Sequence, residues 1–254
     1  MSLLKPAALA FCLALALPTQ AREPVRFAGE EWPPFVTPSL PEHGLSSAIM
    51  QAVFAKAGRS VQIDYFPWKR TMELGLHDPR YAGFLAVWRT PEREKLCHFS
   101  APVGNTLTVI AHLRDTLVAV DSVSDLARYR VGTVAGYAND ERFEKLVQQK
   151  KIVVEEGVND ETNVRKLLMR RFPVILIERR VLQHLLASGR FSDADRMRIA
   201  VNDTLFRERP VHLCFKRTPE GLALQRTFNE AARQVDTEKI ERDYLRRIAP
   251  EQGS

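Results

Sequence analysis

Short apolar runs alternate with longer amphipathic segments in the first part of the chain. Strands are predicted at residues 25–28, 61–66 and 84–87, where apolar or alternating side chains follow one another. Helices are predicted at residues 44–57 and 68–76, where apolar side chains recur at helical spacing. This order of strand, helix, strand, helix and strand is typical of an α/β unit with a parallel sheet.

The same rhythm begins again after residue 106. Strands are predicted at 107–113, 130–134, 152–155, 174–177 and 211–215, helices at 139–149, 161–171, 219–235 and 237–248, and a helical turn at 124–126. Residues 181–186 and a polar, loop-rich stretch up to 208 complete the second unit. No internal repeat or low-complexity linker separates the two units. The sequence therefore predicts two α/β lobes joined by strands that cross near residues 100–104 and 209–211.

The predicted crossings divide the chain into a discontinuous lobe and a continuous one. Residues 22–103 and 210–254 are assigned to lobe 1, and residues 104–209 are assigned to lobe 2. The chain has 254 residues. That length alone leaves open one large domain or two modest ones.

The amino terminus has the pattern of a secretory signal peptide. Lys5 precedes an apolar run over residues 7–17, and the segment ends at Ala21 after small and polar residues. The run is shorter than the roughly 18 apolar residues that a membrane span needs. We therefore expect residues 1–21 to be removed and the mature protein to be soluble and exported. Cys12 would leave with this leader, and its setting does not predict lipid attachment.

Charge and cysteine content narrow the classes of partner. The chain has 37 basic and 31 acidic residues and a net charge of +6, and these charges are spread along it. Nucleic-acid binders more often gather basic residues into one stripe, so no nucleic-acid partner is expected. Cys97 and Cys214 remain after the leader, and the sequence leaves open whether they pair.

Candidate binding chemistry lies in residues 84–102, where an apolar strand runs into Arg-Thr-Pro-Glu-Arg. A guanidinium offers a planar fork that holds a carboxylate through two parallel hydrogen bonds, so Arg93 predicts the capture of a small carboxylate-bearing solute. The alternative is that Arg89 and Arg93 are solvated charges that pair with Glu92 and Glu94.

Three tryptophans are candidates for the wall of a pocket. Trp32 is followed by two prolines, which forbid a helix and present the indole from a stiff loop. Trp68 and Trp88 are further candidates, and we expect at least one of the three to be plain core. Two tryptophans flanking a pocket would favour an aromatic or cationic ligand side chain.

The order of several short motifs resembles the family 3 extracellular solute-binding proteins, the periplasmic receptors for polar amino acids that feed ABC importers. The resemblance covers residues 25–248, and no single motif carries it. The motifs are Glu-x-Trp-Pro-Pro-Phe, Gly-Leu before a helix ending in Lys-Ala-Gly, Pro-Trp-Lys-Arg, Arg-Thr-Pro-Glu-Arg-Glu, Phe-Ser-x-Pro, Val-Gly-Thr-Val-x-Gly-Tyr and Phe-Asn-Glu-Ala. The resemblance implies a two-lobed periplasmic binding protein fold of type II.

The resemblance also implies roles for single residues. Arg93 matches the arginine that grips the ligand's α-carboxylate, with Thr90 beside it. Gly136, Tyr137 and Ala138 match a strand-to-helix turn whose backbone N–H groups hold the other side of that carboxylate. A helix start with unsatisfied donors is an anion site on physical grounds as well. An ordinary βα turn remains the alternative.

Two further roles follow from the resemblance. Glu178 falls where the family places an aspartate that binds the α-ammonium, and Trp32 matches an aromatic wall. A carboxylate after a strand is also where open α/β sheets place ligand groups, although a surface acid beside Arg179 would have the same pattern. Glu178 is longer than aspartate and Trp88 replaces a small hydroxylated residue, so a ligand other than a standard amino acid stays open.

The resemblance predicts a monomeric binding protein with a small-molecule ligand, an ABC permease as partner, and no cofactor. The six histidines show no metal-ligand spacing, and no nucleophile turn or phosphate-binding loop is present in the sequence, so neither a metal site nor an enzyme is expected. Two alternatives remain: an orphan sensor-type receptor without a transporter, and a cyclohexadienyl-dehydratase-like enzyme with Glu178 as general acid.

Overall fold

The structure, a computed structural model, describes residues 23–248. The predicted signal peptide over residues 1–21, with Cys12, lies outside the described residues. Within the described part of the chain, no helix has the length and apolar character needed to cross a membrane.

Strands and helices alternate through both parts of the chain. The strands are β1 Val25–Gly29, β2 Val61–Tyr65, β3 Gly83–Val87, β4 Cys97–Thr106, β5 Thr108–Leu113, β6 Arg130–Val134, β7 Val153–Gly157, β8 Val174–Glu178, β9 Ile199–Asn202 and β10 Arg209–Lys216. The helices are α1 Leu45–Lys56, α2 Trp68–His77, α3 Pro91–Glu94, α4 Glu141–Gln148, α5 Asp160–Leu168, α6 Arg179–Ala187, α7 Asp193–Arg198, α8 Pro219–Ala232 and α9 Thr237–Ile248, with 3-10 turns at Pro41–His43 and Val123–Arg128.

The strands form two separate five-stranded sheets, which confirms the predicted pair of α/β lobes. The first sheet has the order β2-β1-β3-β10-β4, and the second has the order β7-β6-β8-β5-β9. In the first sheet β1 pairs in parallel with β2 and β3, and in the second sheet β6 pairs in parallel with β7 and β8, as predicted. β10 and β5 run antiparallel to their neighbours, so both sheets are mixed.

Within residues 23–248 the chain changes sheets twice, at neighbouring places. Leu107 alone separates β4 from β5, and residues 203–208 separate β9 from β10. β4 and β10 are paired along their length, and Thr106 faces Arg209 at the end where the chain crosses. The predicted boundaries at 103/104 and 209/210 fall inside β4 and at the start of β10, and they stay predictions.

A disulfide joins the same two strands at the opposite end. Cys97 of β4 and Cys214 of β10 are bonded, with their Cα atoms 5.2 Å apart and a sequence separation of 117. Both are buried. The structure therefore answers the question that the sequence left open.

The carboxyl-terminal part of the chain completes the core of the first lobe. Phe228 of α8 packs against Phe54 of α1, with ring centroids 5.2 Å apart, and Phe27 of β1 contacts Phe215 of β10 at 5.5 Å. All four rings are fully buried. Burial of large aromatic side chains holds these distant segments together.

One stretch differs from its prediction. Residues up to 208 were predicted as loop, but the structure contains α7 and the edge strand β9 there. α7 begins with a capping box, in which Ser192 and Asp195 satisfy each other's backbone N–H groups. That pattern is readable in the sequence, whereas β9 is short and half exposed and carries little periodic signal.

Candidate ligand-binding site

A cavity of about 30 Å³ lies between the two lobes. Its lining comes from the last residues of β3 and from segments that follow β1, β2, β3 and β6, the carboxyl ends where open α/β sheets place ligand groups. The lining residues are Glu30, Trp32, Trp68, Leu85, Ala86, Val87, Trp88, Arg93, Tyr137 and Ala138.

Arg93 lies at the mouth of this cavity because α3 begins just before it. Thr90 caps that helix by accepting a hydrogen bond from the Arg93 backbone N–H at 3.2 Å. The guanidinium donates to the Trp88 carbonyl oxygen at 3.1 Å and, across the cleft, to the Gly136 carbonyl oxygen at 3.2 Å. Its Cζ lies 5.3 Å from the centre of the Trp68 ring.

The charge of Arg93 is desolvated. Burial, with the nearby positive charge of Arg209, lowers the pKa of Arg93 to about 10. Within residues 23–248 no ion pair joins Arg93 to a carboxylate, whereas the neighbouring Arg89 pairs with Glu94 at the surface. The alternative of a solvated ion pair therefore holds for Arg89 and not for Arg93.

A second arginine, Arg209, which the sequence analysis did not single out, lies against the ring of Trp88. Arg209 donates to the carbonyl oxygens of Ala138 and Asn139 at 3.0 and 3.2 Å, and its Cζ lies 3.8 Å from the centre of the Trp88 ring. Burial lowers its pKa to about 10. Arg209 enters the cleft because it opens β10 at the crossing between lobes, a position that no local sequence pattern marks.

The sequence predicts an amide nest at the turn around Gly136. Gly136 has a φ of +81°, and the Tyr137 N–H donates to the Val134 carbonyl. The turn faces the two arginines with carbonyl oxygens, and α4 begins only at Glu141 after the cap Asp140. The Tyr137 N–H is therefore not free in this conformation and no helix starts directly after the turn, so a carboxylate site at the N–H groups of this turn stays a prediction.

All three tryptophans line the cavity and are also buried among core side chains, so the expectation that at least one is plain core stays a prediction. Each indole N–H is bonded: Trp32 to Asp160 at 3.2 Å, Trp68 to the Gly136 carbonyl at 2.8 Å and Trp88 to the Thr106 hydroxyl at 2.8 Å. The first two of these bonds cross from one lobe to the other. The tryptophans therefore fix the closed arrangement as well as the walls.

Two buried carboxylates, which the sequence analysis did not assign, meet one phenol. The Tyr137 hydroxyl lies 2.8 Å from Oε2 of Glu30 and 3.3 Å from Oδ2 of Asp160. Burial raises the pKa of Glu30 to about 8 and that of Asp160 to about 7. Asp160 is the first residue of α5, after the cap Asn159, and an acid in the first turn of a helix is ordinary, so no sequence pattern places it in the cleft.

Glu178 lies away from the cavity lining. Its Oε1 accepts the Leu107 N–H at 3.1 Å, and its Oε2 accepts the Val181 N–H at 2.8 Å as the cap of α6. Burial raises its pKa to about 7. In this conformation Glu178 braces the crossing between the lobes and does not face a ligand.

Comparisons with known proteins show the fold. No family model and no curated protein sequence matches the chain. An ancestral arginine-binding protein bound to arginine matches with a TM-score of 0.72 at 16% identity, over 89% of this chain and 98% of that one. A histidine kinase sensor domain with similarity to periplasmic binding proteins has a TM-score of 0.73 at 14% identity, over 89% and 97%.

A third structure is the arginine-, lysine-, histidine-binding protein ArtJ of Geobacillus stearothermophilus. It has a TM-score of 0.68 at 18% identity and covers 88% of this chain and 94% of its own. At these identities the shared property is the arrangement of strands and helices around a cleft. The chain therefore has the two-lobed periplasmic binding protein fold.

Proposed function

We propose that the protein binds a small carboxylate-bearing solute, an amino acid or a related compound, by closing its two lobes, and that it delivers this solute in the periplasm to an ABC importer. One observation carries the proposal. Arg93 holds a desolvated guanidinium in the interlobe cleft, and its contacts there are carbonyl oxygens and an indole face. A carboxylate is the stronger partner for such a group.

The binding step exchanges one acceptor for another. The ligand carboxylate takes the place of the Gly136 carbonyl at Arg93, and closure removes water from the new ion pair. Each lobe supplies part of the contacts, so the ligand favours the closed state by the difference in contacts between the open and closed forms. Thr90 orients α3, and Trp32, Trp68 and Trp88 enclose the rest of the guest.

The second candidate is a receptor that passes its signal to a sensor protein. The fold match to a histidine kinase sensor domain favours this reading over the dehydratase reading. The dehydratase reading placed a general acid at Glu178, whose two oxygens accept backbone N–H groups outside the cavity lining. Uptake of the radiolabelled ligand by cells with and without the gene separates delivery from sensing.

The decisive substitution is Arg93→Ala. Removing one partner of a desolvated charge pair costs about 2–5 kcal/mol of binding free energy. A thermal-shift screen of amino acids and small carboxylates on the mature protein identifies a ligand, because a ligand that binds the folded state raises its melting temperature. Calorimetry then compares the wild type, Arg93→Ala and the matched control Arg89→Ala.

Near-normal affinity in Arg93→Ala would contradict the proposed function. The Arg89→Ala control removes a neighbouring guanidinium that is exposed and paired with Glu94, so it should bind like the wild type. The same calorimetric samples, analysed after incubation, show whether the ligand is returned unchanged, as binding without turnover requires.

A further inference from the structure

The side chain of Tyr137 fills the centre of the cleft. It starts from the turn at Gly136 in the second lobe and reaches the aromatic wall of the first. Its ring meets Trp68 and Trp88 edge-on, with centroids 5.8 and 6.5 Å apart. About 30 Å³ remains beside it. A guest that packs against Trp68 and Trp88 would take the place that the Tyr137 ring now fills.

Tyr137 is the side chain placed to move. The three tryptophans are buried and have bonded indole N–H groups. Tyr137 follows a glycine turn and belongs to the lobe that swings away when the cleft opens. Opening the lobes therefore withdraws its ring from Trp68 and Trp88 and its hydroxyl from Glu30.

The Tyr137 hydroxyl group lies between the carboxyl groups of Glu30 and Asp160. A phenol has one proton to donate, yet Glu30 and Asp160 both lie within hydrogen-bond distance of its oxygen. Both contacts are satisfied when one carboxyl group keeps a proton and donates it to the phenol, while the phenol donates to the other. Burial of both acids favours this shared proton.

A second interlobe cavity beside Asp160 brings other charged side chains near this pair of acids. This cavity, of about 110 Å³, touches Trp32, Tyr137 and Asp160, and its lining also includes the titratable or charged groups Glu31, Glu161, His184 and Arg190. Glu161 is already paired with Arg165 and Arg190. Among residues 23–248, the side chains that hydrogen-bond to Glu30 or Asp160 are Tyr137 and Trp32, and neither of these carries a positive charge.

We propose that Tyr137 is a tethered competitor of the ligand, and that the guest which displaces it carries a cationic group that binds Glu30 and Asp160. The proposal rests on the proposed function, because the same guest places its carboxylate at Arg93. The cleft is then polarised: Arg93 and Arg209 form a cationic end, and Glu30 and Asp160 form an acidic end. The indole rings between them suit a planar cation or an aliphatic chain.

Binding such a guest also expels the shared proton. A guanidinium or ammonium between the two carboxylates favours both in their charged form. The proton leaves to buffer as the ligand enters. Calorimetry in two buffers of different ionisation enthalpy at pH 6.5 measures this release, with L-arginine as the cationic probe and L-citrulline as its neutral isostere.

The first test is Tyr137→Phe, with Tyr129→Phe as the matched control. Tyr129 lies in the second lobe, and its hydroxyl bonds to the backbone of Ala119 and not to a cleft residue. We expect Tyr137→Phe to bind L-arginine about tenfold more tightly, since the competing hydrogen bonds to charged groups are gone. The control should match the wild type. Unchanged or weaker binding in Tyr137→Phe would overturn the proposal.

The second test is Glu30→Gln. We expect L-arginine to bind at least about tenfold more weakly and to release less proton, while L-citrulline changes less. Equal losses for the two probes would overturn the cationic end. If carboxylate solutes bind through Arg93 but L-arginine has no advantage over L-citrulline, the inference fails and the proposed function stands. If no carboxylate solute binds, both fail.

A third measurement needs no ligand. Tyr137→Ala removes the ring and the hydroxyl from the set of contacts that hold the empty lobes together, so small-angle X-ray scattering of the empty protein should show a larger radius of gyration than for the wild type and Tyr129→Phe. Circular dichroism and thermal melting establish that the variant is folded. A folded Tyr137→Ala protein with an unchanged radius would contradict the tethered role.

Discussion

Tyr137 and Glu30 are 107 residues apart in sequence, yet the phenolic oxygen of the first lies 2.8 Å from Oε2 of the second, across the cleft between the lobes. The Trp32 bond to Asp160 and the Trp68 bond to Gly136 make the same crossing. Each of these hydrogen bonds joins one residue from each lobe, so all of them can form only when the cleft is closed. Conditions that alter one partner should therefore alter closure.

The first prediction concerns Arg93→Lys. An ammonium keeps the charge but lacks the planar fork that binds a carboxylate through two parallel bonds. We expect binding of the identified carboxylate ligand to weaken about tenfold or more, with little change in the melting temperature of the empty protein. Calorimetry gives the affinity. Wild-type affinity in this variant would show that the grip is not bidentate.

The second prediction is that the stability of the empty protein falls as the pH rises. The folded-state pKa is raised to about 8 for Glu30 and to about 7 for Asp160 and Glu178, above the ordinary values of carboxyl groups. The folded protein therefore binds more protons than the unfolded chain in this range. The stabilising contribution is complete below about pH 4 and is lost as the pH rises through 7 and 8.

Thermal melting between pH 5 and 8.5 tests this prediction, within the range set by the raised pKa values. Glu30→Gln should flatten the decline at the alkaline end, because the amide does not titrate and can still donate to the phenol. A slope identical to that of the wild type would show that Glu30 does not hold the proton. Glu220→Gln is the control, since that carboxyl group is fully exposed and its pKa is lowered.

The third prediction assigns Glu178 to stability. Glu178→Ala removes the acceptors for the Leu107 and Val181 N–H groups and should cost about 1–2 kcal/mol of the free energy of unfolding. Glu178→Gln keeps one oxygen and should cost less. Urea denaturation measures both. A loss of ligand affinity with unchanged stability would restore the ammonium-binding role that the sequence resemblance implied.

The fourth prediction concerns the disulfide. Cys97→Ala with Cys214→Ala, or reduction of the wild type, should lower the free energy of unfolding by about 2–5 kcal/mol. The bond lies in the first lobe and outside the cavity lining, so the ligand affinity of the folded protein should change little. Denaturant unfolding with and without a reductant provides the measurement. Equal midpoints would show that the cross-link does not stabilise this fold.

The sequence predicted the fold well because the strands and helices have clear local periodicity. It also predicted that Arg93 lies in a cleft, since an apolar strand followed by a Pro-initiated turn is a local signal. The sequence analysis did not identify Glu30, Asp160 and Arg209 as site residues, because no local pattern marks them. Each has an ordinary local explanation, and its chemistry arises only when segments distant in sequence are brought together.

The turn at Gly136 shows a different limit. The motif located the turn correctly, but the direction of its carbonyl groups depends on the two arginines that face it. Likewise, the sequence singled out Tyr137 for its backbone, whereas its side chain makes the interlobe contacts. Side-chain direction in a loop follows from tertiary packing, which periodicity does not encode.

The unequal lengths of the two crossings set the character of any opening motion. A single residue, Leu107, joins β4 to β5 and is anchored by Glu178, while residues 203–208 leave several torsions available on the other side. The disulfide prevents the far ends of β4 and β10 from separating. We therefore expect the short connection at Leu107 to act as the hinge and the longer connection to change its torsions more freely. The second lobe should then rotate about its own long axis as it opens, in addition to moving away from the first lobe.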